Sequence, residues 1–205
     1  MKQAVTRDLY SYWNRLRADR AAPARLDVDP ADISGLLNDT FILETGLGGG
    51  FPIRIAGARI AALFLSEIKG LPFPRLFHAD DRQTLVAFLD SVVDDPTPVV
   101  AGVTAGPIGS EPVEMELLLL PLQPDAGERR QILGSLAPSS RPGWVGLIAV
   151  EPLRLTSLRV LRDAGGRAAA RLALDPANWS TLPLSEAKSG GNAALRQPHL
   201  TLYNS

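Results

Sequence analysis

The chain has 205 residues, 45% of them hydrophobic, and a formal net charge of −1. That length and apolar content suit one domain of roughly 150 residues plus a tail, and the charge balance argues against the basic stripe on which nucleic-acid binders depend. The lack of cysteine removes disulfides, thiolate nucleophiles, zinc–thiolate sites and iron–sulfur clusters.

The start, Met-Lys-Gln, is polar and lacks the apolar segment of a signal peptide. No apolar run approaches the ~18 residues of a membrane span. A soluble cytoplasmic protein without nucleic-acid or membrane partners is expected.

Residues 5–20, VTRDLYSYWNRLRADR, predict an amphipathic helix. Val5, Leu9, Tyr12, Trp13 and Leu16 make one apolar stripe. The partner of that stripe is either this chain's own sheet or a second copy. Residues 21–28 read as a linker, so 1–28 forms an N-terminal helix with its connection. Residues 29–37, DPADISGLL, predict a short helix with Asp29 as N-cap and Pro30 at the first helical position.

Residues 40–45 and 51–56 alternate and predict a hairpin across the glycine-rich turn 46–50. An alternating strand follows those glycines, where a phosphate cradle needs a helix N-terminus. The strand ends at Gly57, and helical spacing begins at once with Ile60, Leu63 and Phe64. Short helical pieces, broken by Gly70, Pro72 and Pro74, lead to a helix over 81–94 with Asp80 as N-cap and Gln83 completing a capping box. Three strands follow, at 99–105, 112–122 and 131–137. Residues 153–162 read as an ordered extension, so 29–162 makes the main domain. Residues 163–205 carry weak periodicity and read as a low-order tail, with HLTLY (199–203) as an alternating segment. The fold class is α+β, with helices on one face of a five-stranded antiparallel sheet.

The stretches LYSYWNRLR (9–17), DPADISGLL (29–37), RIAGARIAALF (54–64), ELLLLPL (116–122), LGSLAP (133–138), PGWVG (142–146) and LRLTSLRVL (153–161) resemble, in order and spacing, a bacterial stand-alone PAS-domain family. Two strands, a helical cluster, one long helix and three strands is the PAS order. The resemblance implies a sensory or regulatory module that signals through a small ligand, through protein contacts or both, with no output domain of its own. It also implies a pocket between the helices and the sheet. Ile53, Ile55, Ile60, Phe64, Phe73, Phe77, Phe88, Met115 and Leu117 are its candidate lining, for a small apolar or carboxylate ligand. The same residues would serve equally as core in a ligand-free interaction scaffold. Leu9, Tyr12, Trp13 and Leu16 are the candidate homodimer contact, and a signalling partner protein is expected.

Relatives that form a flavin–cysteinyl adduct need a cysteine, which this chain lacks, and no other cofactor is assigned. Haem-binding relatives use a histidine on the long helix. His78 lies just before that helix and is a disfavoured haem ligand. Arg54 and Arg59 flank Gly57, and either could hold a carboxylate ligand or an acid of the chain such as Glu44. With two histidines and no nucleophile–base motif, no enzyme activity and no metal site are expected. Asp80 and Asp81 are explained by the helix dipole.

Overall fold

The run Leu117–Leu122 is apolar at every position, where a strand with one wet face would alternate. In the computed structural model, which describes residues 1–46, 50–124, 129–161 and the backbone of 171–173, the reason is visible: both faces of this strand are covered. Met115, Leu117 and Leu119 belong to one buried cluster. Leu118, Leu120 and Leu122 belong to a second cluster on the opposite face.

The elements in chain order are α1 (Ala4–Arg17), β1 (Thr40–Glu44), β2 (Ile53–Ala56), α2 (Ala58–Phe64), α3 (Ala79–Asp94), β3 (Val99–Ala105), β4 (Val113–Leu122), β5 (Gln131–Pro138), β6 (Arg154–Val160) and β7 (Arg171–Ala173). The strands form one sheet in the order β2-β1-β5-β4-β3-β6-β7, every neighbouring pair antiparallel. The expected count of five is corrected: the extension after residue 153 is β6, paired along β3. Residues 171–173, inside the expected tail, pair with β6 as β7. The rest of that tail, HLTLY included, lies outside the described residues. No helix among the described residues is long and apolar enough to cross a membrane.

α2 and α3 supply Ile60, Leu63, Leu85, Leu89 and Val92 to the inner cluster. α1 lies on the outer face and supplies Leu9, Tyr12 and Trp13 to the other. This settles the partner of the N-terminal stripe. Leu9, Tyr12 and Trp13 are buried against the chain's own sheet, and only Leu16 is half-buried. Of the expected homodimer contact, Leu9, Tyr12 and Trp13 are therefore corrected to intrachain packing, while Leu16 keeps exposed surface. Trp13 Nε1 donates to the Pro121 carbonyl at 2.8 Å in the buried layer. Pro121 is tolerated in a central strand because β3 pairs with β4 only as far as Leu119, so no donor is needed on that side.

The N-terminus of α1 has no capping side chain of its own. Glu116, from β4, replaces it: its carboxylate accepts from the Lys2 N–H at 2.8 and 3.0 Å and from the Gln3 N–H at 3.0 Å. Burial pushes this carboxyl up, but the Lys2 and Gln3 N–H groups outweigh it and hold it below the ordinary glutamate value.

Two local expectations change. Residues 30–36 are successive turns rather than a helix, with Asp29 Oδ1 accepting from the Ala31 N–H at 2.8 Å. α3 begins earlier than expected, with His78 as N-cap, its Nδ1 accepting weakly from the Asp80 N–H at 3.5 Å. Asp80 and Asp81 therefore sit in the first turn.

Gly57 makes the sharp passage from β2 to α2, and its φ of −66° is open to any residue. What demands glycine is proximity. A Cβ there would stand 2.2 Å from the Leu37 carbonyl oxygen and 2.3 Å from that of Asn38. Those are backbone atoms and cannot swing away.

Gly57→Ala should therefore lower the unfolding free energy by about 3 kcal/mol, read from urea denaturation, while Gly35→Ala, where a Cβ meets nothing within 4 Å, stays near wild type. Trp13→Ala should cost about 3–5 kcal/mol without changing the oligomeric state in light scattering; a lost dimer at unchanged stability would place the stripe against a second copy instead. Because the folded pKa of Glu116 lies below its unfolded value, its contribution is complete above about pH 4.3 and vanishes as pH falls through the folded value. The stability gap between wild type and Glu116→Gln should thus close on acidification, as measured by thermal melts from pH 7 downward.

Candidate functional site

The inner face of the sheet and the helices over it enclose the space expected to hold a ligand. Ile53, Ile60, Phe73, Phe77, Met115 and Leu117 all reach it, at 0–3% exposure, and they touch one another as one cluster. Phe73 sits at its centre. Its ring stacks on Phe41 with centroids 4.9 Å apart and meets Phe77 edge-on at 5.5 Å, the arrangements that aromatic pairs prefer. Phe41 in turn lies over Gly134 on β5, where a Cβ would fall 2.2 Å from the ring. Phe64 and Phe88 are half-buried at the margin of the same cluster. In this region the rings of Phe41, Phe73 and Phe77 pack against one another.

Ile55 does not join them and is 53% exposed. The cause is a β-bulge: Ile42 pairs with Ile55 but Leu43 with Ile53, leaving Arg54 unpaired. One extra residue transfers everything beyond it to the opposite face. The alternation of Phe51, Ile53 and Ile55 hid this, because a bulge leaves no mark in apolar spacing.

Arg54 meets Glu44 through two parallel bonds, Nε–Oε2 at 2.8 Å and Nη2–Oε1 at 2.7 Å, the fork geometry of a strong pair. That hydrogen bonding holds the Glu44 carboxyl below its ordinary range. Arg59 pairs with the buried Asp39 at 2.5 Å. Both arginines thus hold acids of the chain, and both keep an exposed edge: the Arg54 side chain is 55% exposed and that of Arg59 44%.

His78 is also occupied. Its Nδ1 lies 3.1 Å from Asp80 Oδ2, beside Arg154 Nη1 at 3.3 Å from the same oxygen. Asp81 does more than answer a helix dipole. It is buried and accepts from the Leu155 N–H at 3.1 Å. A second bulge lies beside this bond, with Gly102 opposite Ser157 and Val103 opposite Leu155, leaving Thr156 unpaired. The acid at the start of α3 thus ties that helix to β6.

One open concavity of about 530 Å³ lies at the margin of the core, where Leu63 and Leu136 of the inner cluster line it. It is framed by the start of α1, by α2, by the end of β5 and by the segment 139–145. None of the expected apolar lining residues reaches it, but Arg59, a candidate holder of a ligand carboxylate, does. The signal that could have marked it is the break of apolar alternation after Leu136 into Pro-Ser-Ser-Arg-Pro, a turn that lifts the chain off the sheet edge.

A family model described as a PAS domain matches residues 1–137, from before α1 to within β5. No curated protein matches the chain. Two strands, a helical cluster, one long helix and three strands follow one another in the structure as in that fold, and the match spans two thirds of the sequence. The chain belongs to the PAS domain family of sensory and regulatory modules.

Proposed function

We propose that this PAS domain is a non-catalytic regulatory module whose signal passes through contacts with other proteins, with a core completed by its own side chains. The observation that carries the reading is the ring cluster of Phe41, Phe73 and Phe77, each at 0–1% exposure, in the space where a core ligand would lie. Emptying that space means expelling a phenyl side chain, at about 3 kcal/mol or more. A partner avoids this, acting on packings of the surface elements instead.

The surface offers an apolar patch suited to such contact. Leu65, Leu147 and Ile148 are 48%, 76% and 53% exposed. They stand on two segments joined by hydrogen bonds from Gly146 N–H to Ala62 O and from Val150 N–H to Leu63 O. Grouped apolar exposure of this kind marks interaction sites more than single exposed residues do.

Photo-crosslinking residues incorporated in the living cell at positions 147 and 148 should yield a discrete adduct with a protein, identified by mass spectrometry and lost with Leu65→Glu. A second copy of this chain in the adduct would meet the expectation equally. No adduct from either position, together with a stoichiometric small molecule released from the purified protein on denaturation and excluded by a Phe77→Trp variant, would replace this reading with a core-ligand sensor.

A further inference from the structure

The open concavity has a composition unlike the core. Its floor is apolar, formed by Val5, Leu63, Leu136 and Val145, and its rim carries Arg59 and Arg141. Its volume of about 530 Å³ falls within the ~300–1,000 Å³ of small-molecule sites, which combine apolar walls with a few polar anchors.

The charges decide what fits. Asp39 also lines the cleft and is 3% exposed; Arg59 neutralises it while keeping an exposed edge. Arg141 is exposed and makes no ion pair or hydrogen bond among the described residues. One positive charge is left over. The hydroxyls of Ser139 and Ser140 flank it on the exposed turn and add donors for an anion's remaining oxygens.

We infer that this cleft binds a small amphipathic monoanion, its carboxylate-type head at Arg141 and the exposed edge of Arg59 and its apolar body on Val5, Leu63, Leu136 and Val145. A guanidinium with free donors beside an apolar floor rewards a ligand that has both parts and penalises one that lacks either. A neutral alcohol leaves the cation unpaired, and a cationic amphiphile meets like charge. The inference goes beyond protein contact and does not rest on it. Because the floor joins α1 to α2 and to β5, an occupant would brace the outer helix against the inner layer, and its differential affinity for that docked arrangement would stabilise it.

The test is a titration of the isotopically labelled full chain with decanoate, below its micellar concentration, followed by amide NMR. Shifts should concentrate at residues 3–5, 59–63 and 136–145. Decanol and decyltrimethylammonium should bind at least about tenfold more weakly, and Arg141→Glu should weaken decanoate by about the same factor, the scale of a lost charge-assisted bond. Arg141 is exposed, so that variant keeps the fold; Val145→Trp, which fills the floor, should abolish binding by all three probes. Equal binding of decanoate and decanol would overturn the anion assignment. Shifts absent from the cleft, or centred on Phe41, Phe73 and Phe77, would overturn the site. The crosslinking outcome is independent of these readouts, so the failure of either reading is separately visible.

Discussion

The structure depends on a sheet whose central strands are buried on both faces. β4 and β5 send Met115, Leu117, Leu119, Ile132 and Leu136 inward and Leu118, Leu120, Leu122 and Leu133 outward. Left open to water, the outward set would be a broad apolar surface of the kind that invites aggregation. Burying each such side chain contributes about 1.5–3 kcal/mol, so α1 is a structural layer of the domain rather than an appendage. The polar links follow from the same constraint. Trp13 finds the Pro121 carbonyl, and Glu116 caps a helix that brings no cap of its own, because the helix must be held on the sheet at a fixed height.

Two bulges shape what the sheet presents. At Arg54 the bulge turns Ile55 outward and directs a guanidinium toward Glu44. At Thr156 it lies next to the Leu155 N–H, which Asp81 accepts from the start of α3. A carboxylate stands beside each: Glu44 holds the Arg54 side chain, and Asp81 accepts from the Leu155 backbone N–H. Charged groups that look like a ligand site in one dimension, Arg54 beside an apolar strand and the Asp80-Asp81 pair at a helix start, are engaged within the chain: Arg54 with Glu44, Asp80 with His78 and Arg154, and Asp81 with the Leu155 N–H.

The functional picture follows from where space remains. The region between α3 and the sheet is occupied by phenyl rings at contact distance. A cleft of about 530 Å³ opens at the seam where α1, α2 and β5 meet, and there the wall is part apolar and part cationic. A regulatory domain built this way separates its rigid interior from the surfaces that meet other molecules.

Much of the fold was legible in the sequence because local signals and tertiary packing agreed. The stripe of α1, the long apolar run of β4 and the helical spacing after Gly57 placed those elements, and their order carried the family. The alternation of Ile53 with Phe51 and the spacing of Ile60, Phe73 and Phe77 correctly marked inward residues. They could not distinguish a lining from a filling, since both require the same apolar side chains and differ only in whether the rings touch. The outward turn of Ile55, the coverage of the outer face by α1 and the closeness of the Leu37 and Asn38 carbonyls to Gly57 were decided by the tertiary structure alone. Bulges, sheet faces and backbone approach are relations between distant segments, and a periodic pattern records only which residues avoid water, not what they avoid it with.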